Sequence, residues 1–71
     1  MIIFNESVDL VVVANVGTLT FESVMKIRAG EPIDAKIIDS QTIKGETFVA
    51  IQYTGGGTAF GVNRDLITEI P

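Results

Sequence analysis

The chain has no cysteine, no histidine and no tryptophan among its 71 residues. Cysteine and histidine are the usual zinc ligands, and only cysteine forms disulfides, so we expect neither kind of cross-link to staple the fold. Catalysis by a histidine base or a cysteine nucleophile is excluded, which leaves carboxylates, serine, lysine and tyrosine as reactive groups. Because exposed carboxylates are the ordinary state of such residues, we expect no enzymatic activity, cofactor or metal.

The chain also has no long hydrophobic run. The longest uninterrupted one covers residues 10–14, far short of the ~20 residues that cross a bilayer. The first residues lack the basic start of a secretory signal, and Glu6 and Asp9 interrupt the segment where its apolar core would lie. We therefore expect a cytoplasmic protein that binds no membrane.

Positive charge is sparse, and the formal net charge is −4. The basic residues are Lys26, Arg28, Lys36, Lys44 and Arg64. Nucleic-acid binding needs clustered cations that neutralise phosphates, and only Lys26 and Arg28 lie close together in the sequence. Nucleic acid is therefore not the expected partner. The alternative is an oligomer that gathers these five residues into one nucleic-acid-binding stripe.

What the chain does have is apolar content, at 46% of its residues. This is enough for one packed domain spanning residues 1–71. A domain of this size buries only roughly 60% of the surface that its unfolded chain exposes. Small domains without disulfides or metals often gain additional core by oligomerising, so a homo-oligomer is an expected state.

Short apolar runs separated by glycine-rich or polar segments indicate an all-β chain. The extended segments are Ile2–Phe4, Val8–Val16 and residues 18–27, 33–38, 47–54, 58–62 and 67–70. The first of these can lead directly into the second and the last is short, so we expect five or six strands. Alternation falters at Ser23 and Val24, which predicts a bulge or break there.

The segments between the strands carry turn residues. Residues 29–32 and the three glycines 55–57 predict turns, the second of them a hairpin. Residues 39–46, with the sequence DSQTIKGE, are expected to form a polar loop. Residues 63–66 suit a single tight helical turn, and no window favours a longer helix.

The order of elements in residues 27–71 is strand, turn, strand, triple glycine, strand, tight turn and short strand. The ending GVNRDLITEI, residues 61–70, looks like a glycine-led strand that passes through a 3₁₀ turn into a final strand. This ending resembles the SH3-like small β-barrels. The pattern Ala29-Gly30-Glu31, followed by an alternating strand, is similar to the entry of a second barrel strand in short bacterial and phage proteins of that kind. The resemblance implies a strongly bent barrel of five to six strands with one short 3₁₀ turn near the C-terminus, and it implies no activity.

The chain departs from this group in its aromatic residues. SH3 domains that bind proline-rich ligands present an aromatic groove with a tryptophan, whereas this chain has one tyrosine, Tyr53, and no tryptophan. Its four phenylalanines are few enough to be used in the core, which leaves no stacking platform for nucleic acid. We infer no small-molecule ligand.

The Val8–Val16 segment, VDLVVVANV, is the candidate functional feature. A strand with one wet face should alternate apolar and polar residues, but residues 10–14 are apolar on both sides. One pair, either Leu10 and Val12 or Val11 and Val13, can enter the core. The other pair is then exposed, unless the early strands curl over it within one chain. We therefore expect Leu10, Val11, Val12 and Val13 to form a protein interface, through an edge or a face of this strand, with a second copy or another protein.

Overall fold

The computed structural model describes all 71 residues, Met1–Pro71, as an all-β chain of eight strands. The strands are β1 (Ile2–Phe4), β2 (Val8–Val16), β3 (Leu19–Ile27), β4 (Pro32–Ile33), β5 (Ala35–Ile43), β6 (Glu46–Tyr53), β7 (Thr58–Asn63) and β8 (Ile67–Glu69). The predicted all-β class is confirmed. The predicted number of strands is wrong, because β1 does not merge with β2 and the segment between β3 and β5 adds the short β4.

The strands pair antiparallel in two sheets rather than in one closed barrel. The smaller sheet has the order β4-β1-β8 and joins the two ends of the chain, with Ile3 opposite Thr68. The larger sheet has the order β3-β2-β7-β6-β5. Consecutive strands β4 and β5 belong to different sheets and are separated only by Asp34, so the chain bends from one sheet to the other at this residue.

The core lies between the two sheets and is entirely apolar. Its largest fully buried side chains are Ile2, Phe4 and Ile51. The complete cluster comprises Ile2, Phe4, Leu10, Val12, Ile27, Ala35, Val49, Ile51, Ala59, Val62 and Ile67. Strands β1 and β8 supply core residues from the two ends of the chain, so the core joins residues that are far apart in the sequence.

The irregularities of the larger sheet do not lie where the sequence predicted one. Strands β2 and β3 pair without interruption from Val8 opposite Ile27 to Val16 opposite Leu19. The predicted bulge at Ser23 and Val24 is therefore wrong, because an exposed strand does not have to satisfy a burial pattern. The register shifts lie instead between β5 and β6, at Ile37 to Asp39, and between β6 and β7, where Val49 to Ile51 faces Val62 to Ala59.

The predicted polar loop at residues 39–46 is also wrong. Strand β5 continues to Ile43, and β6 begins at Glu46. The connection is only Lys44 and Gly45, both with positive φ, at 51° and 82°. Positive φ at both central residues is typical of a type I′ turn, which suits the twist of a hairpin. The segment is polar because most of it is exposed.

Two predicted turns are confirmed. The triple glycine 55–57 connects β6 to β7, which pair as a hairpin. A 3₁₀ turn, Arg64–Leu66, precedes β8. The Asn63 side-chain oxygen caps it by accepting a 2.9 Å hydrogen bond from the Asp65 backbone N–H.

Gly57 couples the β6–β7 turn to the core. Its φ is +97°, and a Cβ atom at this position would lie 2.8 Å from Cγ1 of the buried Val12. Both the backbone conformation and the close approach therefore require glycine. Gly55 has neither constraint, because a Cβ atom there would meet nothing within 4 Å.

We predict that Gly57→Ala lowers the free energy of unfolding by about 2 kcal/mol or more, since it combines left-handed strain with a clash against the core. Gly55→Ala is the matched control and should change stability by less than about 0.5 kcal/mol. Urea unfolding of both variants measures the difference. Equal stability of the two variants would contradict the close approach of Gly57 to Val12.

Candidate protein-interaction surface

The β2–β3 hairpin carries the most exposed strand of the molecule, β3. Its strands have nine residues each and are joined by Gly17 and Thr18. Gly17 has a φ of +62°, as the first central residue of a two-residue hairpin turn with glycine in that place requires. Eight of the nine residues of β3 are exposed, and only Ile27, at the base of the hairpin, is buried.

The four residues predicted as an interface divide between the two faces of β2. Leu10 and Val12 point into the core, with 8% and 6% of their surface exposed. Val11 points outward and is 54% exposed, while Val13 is half-buried. Leu10 and Val12 are thus structural residues, and Val11 is the main surface residue of the predicted set.

The edges of β2 are not free in the middle of the strand. Strand β3 pairs along the whole of β2, and β7 occupies the other side at Val12 and Val13. An interface through the middle of an edge of β2, which was one expectation, is therefore not available. What remains for contact is the outward face of β2 and the free edge of its neighbour β3.

The outward side of the larger sheet carries an apolar patch of three residues, Val11, Val24 and Phe60, which we call the outer patch. Val24 of β3 lies directly opposite Val11 in the antiparallel register. Phe60 follows Ala59, the partner of Val12, and lines the same shallow groove as Val11. Val24 and Phe60 are 62% and 67% exposed. The outer patch thus extends across three adjacent strands.

The opposite side of the hairpin carries a second apolar area toward its tip. Beyond Leu10 and Val12, this side continues with Ala14 and Val16, which lie opposite Phe21 and Leu19. Val16, Leu19 and Phe21 are exposed, because the hairpin extends past the core that its base covers. We call these three residues the tip patch.

Sequence reasoning placed the phenylalanines incorrectly. Phe4 is fully buried, but Phe21 and Phe60 are exposed and Phe48 is half-buried. The expectation that all four fill the core is wrong. A signal was present for Phe60, since it alternates with Ala59 in β7 and only one of the two can face the core.

The basic residues do not form one stripe within a subunit. Lys26 and Arg28 lie at the β3 edge of the larger sheet, where they share a groove with Asp9 and Glu31. Lys36 and Lys44 belong to β5 and its turn at the opposite edge. The Arg64 guanidinium donates a 3.0 Å hydrogen bond to the Ile67 backbone oxygen and thereby supports the 3₁₀ turn. No observation therefore favours the nucleic-acid alternative.

The acidic residues do not converge either, since no three of them are placed to hold a metal ion. The 3₁₀ turn Arg64–Leu66 is too short to span a membrane as a helix, and no other helix is present.

The one side chain whose pKa is shifted is Tyr53, whose hydroxyl is buried without a hydrogen-bond partner. Burial disfavours the phenolate and raises the pKa of Tyr53 above its usual value of 10.0.

The assignment of faces in β2 is tested by two substitutions of neighbouring valines. Val12→Lys places a charge in the apolar core and should unfold the protein, at a cost of several kcal/mol. Val11→Lys places the same charge in solvent and should leave the fold intact, with a stability change below about 1 kcal/mol. Circular dichroism during thermal unfolding distinguishes the two. A folded Val12→Lys variant would show that the two faces are assigned the wrong way round.

Comparison of the chain with protein-family models, with curated proteins and with solved structures finds no match. No relative therefore lends this chain a ligand, a partner or an activity. The exposed β2–β3 hairpin is the feature of its own structure that points most directly to a function.

Proposed function

We propose that this protein is a non-enzymatic interaction module that self-associates through its β2–β3 hairpin. The observation that carries this proposal is the exposure of β3, where eight of nine residues face solvent. Four of the eight are large and apolar, namely Leu19, Phe21, Val24 and Met25. Leu19, Phe21 and Met25 lie on one side of β3 and Val24 on the other, and apolar patches on the surface of a soluble domain commonly mark a contact with a partner.

Burial of this apolar surface favours association. At about 25 cal/mol per Å², a few hundred Å² of apolar surface per subunit contributes several kcal/mol. Loss of translational and rotational freedom opposes association by a comparable amount, so the net free energy of association depends on how well the surfaces match. The expected complex is of moderate strength and depends on protein concentration.

A second copy of the chain is the partner that the hairpin fits best. The hairpin presents both an apolar surface and a free strand edge, and each of these needs a surface of its own kind. A two-fold interface uses the same surface on both subunits, so one self-complementary hairpin supplies both halves. The small apolar core, without disulfides or metals, is also typical of domains that gain stability by oligomerising.

At the level of the fold, we propose that the chain is related in shape to the SH3-like small barrels. Three features support this: the pairing of β1 with β8, the bend at Asp34 between the sheets, and the 3₁₀ turn before β8. This proposal carries no activity, because such folds serve many functions.

The proposal predicts that light scattering shows a mass that rises from monomer to oligomer with concentration. Val24→Lys should keep the protein monomeric, because it places a desolvation cost at the centre of the exposed strand. Ile38→Lys is the matched control, since Ile38 is also exposed, at 46%, but lies on the distant strand β5. A native protein that stays monomeric at all concentrations, or equal behaviour of the two variants, would contradict the proposal.

A further inference from the structure

We propose that two copies of the chain join edge to edge through β3, antiparallel around a two-fold axis at Val24, to form one continuous ten-stranded sheet. This inference rests on the proposed self-association and specifies its geometry. Four observations support it: the unpaired backbone groups of β3, the regularity of this strand along its length, the placement of charges, and the position of the tip patch.

The backbone of β3 has a regular row of free hydrogen-bonding groups. Val16 and Leu19 flank the two-residue turn, and in such a hairpin the flanking residues exchange both backbone hydrogen bonds. Antiparallel pairs alternate between bonded and non-bonded. The N–H and C=O groups of Thr20, Glu22, Val24 and Lys26 therefore point away from β2, toward the side where β3 has no neighbouring strand. This is the template that a further strand requires.

Strand β3 lacks most of the features by which proteins protect an edge. Such edges are usually short, interrupted by proline or a bulge, or covered. Strand β3 has nine residues, no proline and an uninterrupted register with β2. The other edge of the sheet, β5, has a register shift between Ile37 and Asp39 that disturbs a regular pairing surface. Of the two outer strands of the larger sheet, only β3 is therefore regular along its whole length.

The charges of β3 favour the Val24 register over two alternatives. With the axis at Val24, Glu22 lies opposite Lys26 of the second copy, and Lys26 lies opposite Glu22 of the second copy. The two Val24 side chains then meet at the centre. An axis at Glu22 would place two glutamates together, and an axis at Lys26 would place two lysines together, each of which is unfavourable. Opposite charges in directly facing positions stabilise a sheet, so the Val24 register is preferred over these two.

The same register also determines where the exposed apolar residues of the two copies lie. The two-fold axis is normal to the sheet, so each face of one copy continues into the same face of the other. In the Val24 register, Phe21 lies opposite Ile27 of the second copy on the inner face. The tip patch of each hairpin is thereby carried alongside the base of the other hairpin, where the core of that subunit begins. On the outer face, the two outer patches meet through Val24 and become one continuous apolar row.

Charge reversal in a mixture tests the register directly. Glu22→Lys alone places two lysines opposite each other in the dimer, and Lys26→Glu alone places two glutamates opposite each other. Each variant alone should raise the dimer dissociation constant about tenfold or more. In an equimolar mixture of the two variants, every lysine of one strand faces a glutamate of the other variant, so the heterodimer should form as readily as the native dimer. Light scattering and native mass spectrometry measure both effects, and circular dichroism confirms folding.

The outcomes separate this inference from the proposed function. A native protein that is monomeric throughout overturns both. A native dimer whose single variants also dimerise, or whose mixture stays monomeric, overturns the β3 register and leaves self-association standing. Val24→Pro is a second test that changes no charge, because it removes an outward-pointing N–H and leaves the ladder to β2 intact. A folded, monomeric Val24→Pro protein supports edge pairing, and a folded dimer overturns it.

Discussion

The pairing of β2 with β7 is the contact on which the rest of the structure depends. It comprises only two register pairs, Val12 with Ala59 and Val13 with Thr58. The close approach of Gly57 to Val12 and the burial of Leu10 reinforce it. This short contact attaches a hairpin of nine-residue strands to a small core. The base of the hairpin is therefore buried, whereas its tip and its outer strand have no protein to cover them.

This attachment links the fold to the proposed function. A 71-residue chain has too few residues to enclose a hairpin of this length, so both faces of the hairpin tip and the free edge of β3 stay exposed. A partner strand covers apolar side chains, which is favourable, and it pairs with the free N–H and C=O groups of a strand edge. Pairing two β3 strands would satisfy the backbone groups and cover apolar side chains in one contact. On this account, the exposed hairpin is the contact surface between two copies of the chain.

The sequence predicted most strands, because periodicity and glycine turns are local signals. It also predicted that one pair of apolar residues in β2 would be buried and the other exposed. It did not predict which pair, since that choice depends on where β7 meets β2 at Val12 and Val13. The register shifts between β5 and β6 and between β6 and β7 were also missed, because they depend on the pairing of strands, which local periodicity does not describe. Phe60 was assigned to the core by counting aromatics, although its exposure follows from its position next to the inward-facing Ala59.

Hydrogen exchange of individual amides in β3 is the most direct test of the claim that a second copy covers this edge. The account predicts that the amides of Glu22, Val24 and Lys26 exchange slowly at high protein concentration and quickly after dilution. The amides of Phe21, Ser23 and Met25 bond to β2 and should stay protected at both concentrations. Rapid exchange of the first group under conditions in which the protein is fully oligomeric would contradict edge pairing through β3.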